Sequence, residues 1–300
     1  MMIIAGTVPI KEIPLITGEV VADGDFLVID GYRIPRTQGT GIMLSAALAT
    51  TTYLKLDPPH AVLAGDIGKG DGSRAIYEYL IDNVATLSPE VLALHYWLPD
   101  MALTRRLCES VKDCKERPVL IADAASMYSA KAAGLAPEFD VFTPDATEMA
   151  FLADPYATHP AYISKHLFDT DIAKTPELIL TAYQNRNAAK LLLVKGAVDY
   201  VVRDGDIVTL IADPDVPEME AIGGTGDTIT GLVAAFIYTG LEHHEAAIIA
   251  ARANRTAGKY ANVTPATKAR EIVDRFPAIF AENLCEWSGV CTVEKGGYST

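Results

Sequence analysis

The chain has 300 residues, of which 50% are apolar, and this is enough to bury a large core within one globular unit. Its 39 acidic and 25 basic residues give a formal net charge of -14. An acidic surface of this kind disfavours duplex nucleic acid and anionic membranes, because both bind basic surfaces. We therefore expect no nucleic-acid partner and no membrane partner, while a small anion can still bind in a local pocket.

The cysteines and the N-terminal segment bear on the cellular compartment. The 4 cysteines show no C-x-x-C spacing and no nearby histidines, so neither a zinc site nor a redox motif is indicated. We expect free thiols, with Cys285 and Cys291 able to pair under oxidising conditions. The N-terminus lacks the pattern of a signal peptide, and no apolar run reaches membrane-spanning length. These features predict a soluble, cytoplasmic protein.

Short apolar runs that end in turn residues alternate with longer helical patterns along the chain. The predicted strands are MIIAG at 2–6, DFLVIDG at 25–31, AVLAGD at 61–66, VLALHYW at 91–97, PVLIAD at 118–123, FDVFTP at 139–144 and KLLLVKG at 190–196. The predicted helices begin near residues 42, 72, 101, 176, 227 and 244. Several strands are apolar on both faces, which is typical of parallel strands covered by helices. The alternation predicts an α/β fold, a three-layer α/β/α sandwich with a mostly parallel central sheet.

Two further segments have a local signature. Residues 199–212, DYVVRDGDIVTLIA, are predicted to form a β-hairpin with its turn at Asp204 and Gly205. Residues 91–97 end in His95 and Trp97, and strand ends are where open parallel sheets usually contact ligands. A packed aromatic edge would give the same pattern, so both interpretations of His95 and Trp97 stay open.

A glycine-rich turn precedes an apolar helix in EAIGGTGDTITGLVAAFIYTG, residues 220–240. At a helix N-terminus several backbone N–H groups lack partners, and glycines let an anion approach them closely. Asp227 lies where it can take a proton from a hydroxyl beside that anion, the combination that phosphoryl transfer needs. The structural alternative is that Asp227 or Thr228 caps the helix and the glycines form a tight turn.

The order of these motifs resembles the ribokinase-like superfamily. The similarity covers residues 25–262 and rests on the glycine turn and on three upstream segments, AGDIGKGDG at 64–72, FDVFTPDATEMAFL at 139–152 and VKGA at 194–197. It implies a single ribokinase-like α/β domain over residues 1–300, with a small lid or substrate-binding part within residues 1–60. We also expect a homo-oligomer, in its simplest form a dimer.

Two activities of this superfamily fit the chain. The first is an ATP-dependent kinase of the carbohydrate kinase type, which transfers a γ-phosphate to a hydroxyl, and which AGDIGKGDG and DATE at 145–148 favour. The second is the ATP- or ADP-dependent NAD(P)H-hydrate dehydratase, which GGTGDTITG and PVLIADAASMYSAKAAG favour. The kinase is the main expectation and the dehydratase its alternative. A nucleotide-binding sensor without turnover is a second alternative.

The resemblance also implies roles for single residues. Asp227 would be the general base, and the transferred phosphate would be bound by backbone N–H groups of Gly224, Thr225 and Gly226. The nucleotide, ATP or ADP, would contact Lys195, Gly196 and Asn254. The accompanying Mg²⁺ would be held through water by Glu148 and Asp145, since this ion keeps several waters and takes few direct carboxylates.

On the acceptor side, the partner would be a small molecule with a hydroxyl group. The residues that match acceptor contacts in the superfamily are Asp30, Gly31, Gly39 and Gly41, and Arg33 is a further candidate because of its charge. Arg33 and Arg36 are the clustered positive charges of this region, which makes an acidic group on the acceptor worth considering. Solvation at the surface is the alternative role for at least one of these arginines.

Overall fold

The computed structural model describes residues 1–157 and 174–289. The strands are β1 (Met2–Val8), β2 (Ile16–Glu19), β3 (Val21–Asp23), β4 (Phe26–Ile29), β5 (Tyr32–Pro35), β6 (His60–Gly65), β7 (Val91–Leu94), β8 (Val119–Ala122), β9 (Val141–Phe142), β10 (Leu191–Val194), β11 (Asp199–Arg203) and β12 (Asp206–Ile211). The helices are α1 (Gly39–Leu54), α2 (Asp71–Leu87), α3 (Met101–Lys112), α4 (Ala125–Ala132), α5 (Ala146–Ala153), α6 (Thr175–Gln184), α7 (Thr225–Tyr238), α8 (His243–Ala261), α9 (Ala269–Val273) and α10 (Phe276–Ser288).

A 9-stranded sheet forms the centre of the molecule, in the order β12-β11-β10-β9-β8-β7-β1-β6-β2. The strands from β10 to β6 in that order run parallel, and β11, β12 and β2 pair antiparallel at the two edges. The sheet confirms the predicted α/β fold with a mostly parallel sheet. The β11–β12 pair confirms the predicted hairpin, and its turn residues Asp204 and Gly205 both have positive φ.

Helices cover both faces of this sheet because its central strands are apolar on both sides. In β1, Met2 and Ile4 point to one core, whereas Ile3 and Ala5 point to the other, as the two-residue period of a strand requires. The first core takes side chains from α1, α7, α8 and α10, and the second takes them from α2, α3, α4, α5 and α6. These layers form the predicted three-layer sandwich.

The predicted strand at 25–31 lies outside this arrangement. Its core, β4, belongs to a separate 3-stranded antiparallel sheet, β3-β4-β5. The hydrophobic run is too short to distinguish a central strand from a hairpin strand. This small sheet lies within the first 60 residues, where a lid or substrate-binding part is expected; the domain assignment and the homodimer stay predictions.

The cysteine expectation holds in part. Cys108 and Cys114 are buried free thiols, whereas Cys285 is disulfide-bonded and Cys291 lies outside the described residues. Among the described helices, none combines the length and the apolar character needed to cross a membrane.

Candidate functional site

The parallel strands all end at the same edge of the sheet. Five of these strands are followed directly by a polar residue. These residues follow β6, β7, β8, β9 and β10, and they are Asp66, His95, Asp123, Thr143 and Lys195. Ligands of open parallel sheets bind outside the carboxyl ends of the strands. The N-terminus of α7 reaches the same edge, because Asp227 contacts His95 and Thr230 contacts Asp123.

The glycine turn opens α7 as the sequence predicts. Gly224 precedes the helix with φ 98°, and a Cβ there would approach Thr37 O at 3.0 Å, so this position needs glycine. The first helical hydrogen bond runs from Thr228 N to Gly224 O. The backbone N–H groups of Thr225, Gly226 and Asp227 therefore have no carbonyl acceptor one turn back, which makes them available to an anion.

The Asp227 carboxylate is fixed by two donors from outside its own helix. Gly39 N donates to Oδ2 at 2.7 Å, and His95 Nε2 lies 3.1 Å from Oδ1. Burial raises the pKa of Asp227, but the hydrogen bond and charge of His95, the charge of Lys195 and the Gly39 N–H outweigh it and lower the pKa. Asp227 is therefore an ionised, oriented carboxylate, 14% exposed, at the mouth of the glycine turn.

Lys195 and Asp123 form a buried ion pair next to this carboxylate. Lys195 Nζ lies 2.9 and 3.0 Å from the two oxygens of Asp123, and Thr230 Oγ1 donates to Asp123 Oδ2 at 2.5 Å. Burial would lower the pKa of Lys195, but the negative charges of Asp123, Glu148 and Asp227 raise it above its ordinary value. The site therefore holds a permanent positive charge beside Gly226. A Cβ added at Gly226 would lie 3.4 Å from Lys195 Nζ.

A first pocket lies on the Lys195 side of the α7 turn, and we call it the Lys195 pocket. It is lined by Asp145, Lys195, Gly196, Ala197, Asp199, Asp215, Val216, Pro217, Met219, Glu220, Thr225, Gly226, Ile229, Asn254 and Arg255. The predicted nucleotide contacts Lys195, Gly196 and Asn254 are all among them. Asn254 accepts from Thr228 Oγ1 at 2.7 Å and donates to Thr225 O at 3.2 Å, so it also ties α8 to the start of α7.

A second pocket lies on the other side of the turn, and we call it the Asp227 pocket. It is lined by Thr7, Pro9, Gln38, Gly39, Asp66, Tyr96, Gly223, Gly224 and Asp227. A third, the Tyr128 pocket, is lined by Thr7, Asp66, Gly68, Ser73, Tyr96, Trp97, Leu98, Pro99, Ala125 and Tyr128. The last two pockets share Thr7, Asp66 and Tyr96, so they adjoin and extend the space in front of Asp227.

The predicted acceptor residues are only partly brought to these pockets. Gly39 lines the Asp227 pocket, but Asp30, Arg33 and Gly41 line none of the three. Arg33 is half exposed, pairs with Asp23 at 2.6 Å and covers the Phe26 ring. Gly41 is buried where a Cβ would approach Pro35 O at 2.5 Å, which gives it a packing role. Arg36 pairs with Asp274 and contacts Ser45, so it is not a free anion site.

Asp145 and Glu148 form a capping box at the start of α5. Asp145 Oδ1 accepts from Glu148 N at 2.8 Å, and Glu148 Oε2 accepts from Asp145 N at 2.9 Å. Tyr128 OH donates to the other Glu148 oxygen at 3.0 Å. Burial, followed by the charge of Asp123, raises the pKa of Glu148 to about 8. Asp145 lines the Lys195 pocket, so its carboxylate suits Mg²⁺ held through water, whereas Glu148 is not among the residues that line this pocket. The Mg²⁺ role of both residues stays a prediction.

Sequence reasoning missed three parts of this site. Asp123 ends the predicted strand PVLIAD, and its place at a strand end was a signal for it. Thr40 and Thr230 lie inside helices and have no local signal. Trp97 packs against Tyr77 with ring centroids 4.2 Å apart and is buried, so the packing interpretation holds for Trp97, while His95 faces Asp227.

The site residues fall within a segment that matches a known family. The family described as NAD(P)H-hydrate dehydratase matches residues 90–277, which contain His95, Asp123, Lys195 and the whole glycine turn. The chain belongs to this family.

Two curated relatives extend the comparison. An uncharacterized protein of Methanocaldococcus jannaschii is 36% identical over 242 residues, which cover 81% of this chain and 100% of that protein. The bifunctional NAD(P)H-hydrate repair enzyme of Hyperthermus butylicus is 38% identical over 89 residues, which cover 29% of this chain and 16% of that enzyme. The family match supports the dehydratase better than the kinase that the sequence motifs favoured.

Solved structures place the fold among ribokinase-like proteins. Pyridoxal kinase from Lactobacillus plantarum has a TM-score of 0.54 at 14% identity, with 94% of this chain and 99% of that chain covered. Ribokinase from Cryptococcus neoformans in complex with ADP has a TM-score of 0.51 at 12% identity, with 92% and 100% covered. The ribokinase-like fold that the motifs indicated is confirmed.

Proposed function

We propose that this family member is an ATP- or ADP-dependent NAD(P)H-hydrate dehydratase. The observation that carries the proposal is the match of residues 90–277 to the dehydratase family, because this segment supplies Asp227, Lys195 and the α7 turn. The geometry agrees with it. A nucleotide in the Lys195 pocket and a hydrate in the Asp227 pocket would meet at the N-terminus of α7, with Asp227 on the hydrate side.

The chemistry needs two steps at one turn. In the first, the hydrate's hydroxyl oxygen attacks the terminal phosphorus of the nucleotide, Asp227 takes the hydroxyl proton, and the nucleotide leaves with the electron pair of the broken P–O bond. In the second, the ring C–O bond breaks and phosphate leaves with its electron pair. A proton lost from the neighbouring ring carbon then restores the double bond. One phosphoanhydride bond is consumed for each ring dehydrated.

The chain's own residues supply charge stabilisation and orientation for this sequence. The N–H groups of Gly224, Thr225 and Gly226 would face the anion, and Lys195 places a positive charge beside Gly226. Asp145 would hold Mg²⁺ at the Lys195 pocket, where the ion would neutralise phosphate charge. Asp227 stays ionised because its pKa is lowered, so it is ready to accept the hydroxyl proton.

The two adjoining pockets in front of Asp227 also support a large substrate. The Asp227 pocket continues into the Tyr128 pocket through Thr7, Asp66 and Tyr96. A monosaccharide would need only the first of these spaces, whereas a dinucleotide needs an extended cleft with aromatic surfaces for its rings. Tyr96 is 45% exposed and offers such a surface between the two pockets.

An acceptor panel tests the proposal. The protein is incubated with Mg²⁺ and either ATP or ADP, with hydrated NADH in one arm and sugars, nucleosides and vitamin alcohols in the other. We expect the absorbance of reduced nicotinamide to return in the first arm only. A stable phosphorylated product in the second arm, with no return in the first, would replace the dehydratase with the kinase. Tight nucleotide binding without turnover in either arm would favour the sensor.

A further inference from the structure

We propose that His95 is a positioning residue that donates hydrogen bonds from both ring nitrogens and locks the Asp227 carboxylate toward its substrate. Thr40 in turn fixes the His95 ring. The inference rests on the proposed function for the reaction that is measured, but the hydrogen-bond arrangement itself can be tested without turnover.

Counting hydrogens along the chain of contacts gives the donor roles. Thr40 Oγ1 donates its single hydrogen to Thr7 O at 2.9 Å, and it lies 3.1 Å from His95 Nδ1. With the hydroxyl hydrogen on the Thr7 carbonyl, the proposed arrangement takes the hydrogen between Thr40 and His95 from Nδ1. The ionised Asp227 also can only accept, so Nε2 carries a hydrogen as well. In this arrangement both ring nitrogens donate, Nε2 to the Asp227 carboxylate and Nδ1 to the Thr40 hydroxyl.

The surroundings of the ring supply the compensation that a buried charge needs. The His95 side chain is fully buried, and its Nε2 also lies 3.8 Å from Asp123 Oδ2. Lys195 pairs with the same Asp123, so the His95 ring and the Lys195 ammonium alternate with two carboxylates in this cluster. A buried charge is tolerated when it is paired and hydrogen-bonded in this way.

The backbone at Gly6 makes the arrangement possible. A Cβ at Gly6 would lie 2.6 Å from Thr40 Oγ1 and 3.2 Å from His95 Cβ. Only glycine in β1 lets α1 and the end of β7 approach closely enough for Thr40 to reach the ring. The contact is therefore built into three separate elements of the fold.

His95 has two opposing effects on the base. Its charge makes Asp227 less basic, which by itself would slow proton transfer. Its hydrogen bond, with that of Gly39, fixes both carboxylate oxygens and leaves their remaining lone pairs in defined directions. Phosphoryl transfer depends mainly on positioning, so we expect the loss of orientation to outweigh the gain in basicity.

Nuclear magnetic resonance tests the donor roles directly. In protein labelled with ¹⁵N-histidine, His95 is assigned by its absence in His95→Gln. We expect two slowly exchanging ring N–H signals from His95 at neutral pH. The chemical shift of one should change in Asp227→Asn, and the chemical shift of the other should change in Thr40→Val. A single ring N–H signal would overturn the proposal, and so would two signals whose chemical shifts are unchanged in Asp227→Asn, whatever the enzyme's substrate.

Kinetics with hydrated NADH test the positioning role. Thr40→Val removes the hydroxyl at constant shape, and we expect kcat to fall about 10-fold or more, the loss of one hydrogen bond to a charged group. KM and nucleotide Kd should change less than about twofold. Thr40→Ser restores the hydroxyl and should recover most of kcat. Thr50→Val is the matched control, because Thr50 is equally buried in α1 and its hydroxyl donates to Ala46 O within the same helix.

The two His95 amide variants sharpen the result. Glutamine can reach the place of Nε2 and asparagine only that of Nδ1, so His95→Gln should keep more kcat than His95→Asn. Equal kcat in Thr40→Val and wild type would contradict the positioning role. A kcat of Thr40→Ser that is no higher than that of Thr40→Val would contradict it as well. If the ring signals behave as expected but hydrated NADH is not converted, the proposed function fails and the His95 arrangement stands.

Discussion

Lys195 and Asp123 form a two-point ion pair at the ends of β10 and β8, with 10% and 2% of their side chains exposed. Asp123 also accepts hydrogen bonds from Thr230 and from the Ala124 N–H. The pair therefore holds α7 against the sheet edge, where the glycine turn must face the Lys195 pocket. Its removal should affect the fold as well as the site.

Asp123→Asn tests this dual role. The substitution leaves the buried Lys195 charge without its main partner, and breaking a buried pair from one side costs about 3–5 kcal/mol of unfolding free energy. Urea unfolding measures the cost. The control is Asp71→Asn, which removes the exposed Arg74–Asp71 pair on α2 and should cost less than about 1 kcal/mol. Similar losses in both variants would contradict the role of the buried pair.

Gly226→Val tests the anion site. Gly226 has an ordinary φ, so the strain that a left-handed glycine would add is absent, and the three atoms nearest to an added Cβ are Nζ, Cε and Cδ of Lys195 at 3.4, 3.6 and 3.7 Å. We therefore expect a folded protein in which the added methyl groups obstruct phosphate approach. Calorimetry should show ATP and ADP binding at least about 10-fold more weakly, as the loss of anion contacts at a helix N-terminus requires. Normal affinity would exclude this turn as the phosphate site.

Arg255→Lys tests the wall of the Lys195 pocket. Arg255 donates to Asp199 Oδ2 at 2.7 Å and to the carbonyls of Gly196, Ala197, Ala212 and Pro214. Lysine cannot reproduce this planar fork, so we expect nucleotide affinity to fall about 10-fold or more. Arg252→Lys, on an exposed position of the same helix, is the matched control and should bind nucleotide normally. Equal affinity of the two variants would contradict the role of Arg255.

The raised pKa of Glu148 predicts a pH dependence of stability. Because the folded pKa of about 8 lies above the ordinary 4.5, wild type loses stability relative to Glu148→Gln as pH rises through this interval. Glutamine does not titrate, and it can keep the contacts to Asp145 N and Tyr128. Urea unfolding in Mg²⁺-free buffer at pH near 5 and near 8 measures the difference. A constant difference between wild type and Glu148→Gln would show that Glu148 is ionised throughout.

The sequence predicts those parts of the fold and site that depend on neighbouring residues. Apolar runs locate the parallel strands, and the glycine turn locates the start of α7, because both signals are local. The contact of His95 with Asp227 joins residues 132 positions apart and depends on strand order, which no local pattern specifies. For the same reason no local pattern shows that Arg33 in β5, and Asp30 in the turn before it, lie outside the lining of the three pockets.

The motif that contains Asp145 and Glu148 predicts their proximity but not the burial of their side chains. The segment DATE predicts two acidic residues close together, and the structure does bring them together. The same spacing is also a capping box, which these two residues form, and the Glu148 side chain is buried. Burial of a side chain depends on the packing of α4 and α5, so it could not be derived from the motif.

We propose that Asp227 is the base of a nucleotide-dependent dehydration. The most direct measurement follows reduced-nicotinamide absorbance and nucleotide consumption together, with hydrated NADH and either ATP or ADP, in wild type and Asp227→Asn. We expect one ring restored for each nucleotide consumed in wild type. In Asp227→Asn we expect kcat to fall by about 100-fold or more, with nucleotide affinity nearly unchanged. Absorbance that does not return in wild type, or full turnover in Asp227→Asn, would contradict the account.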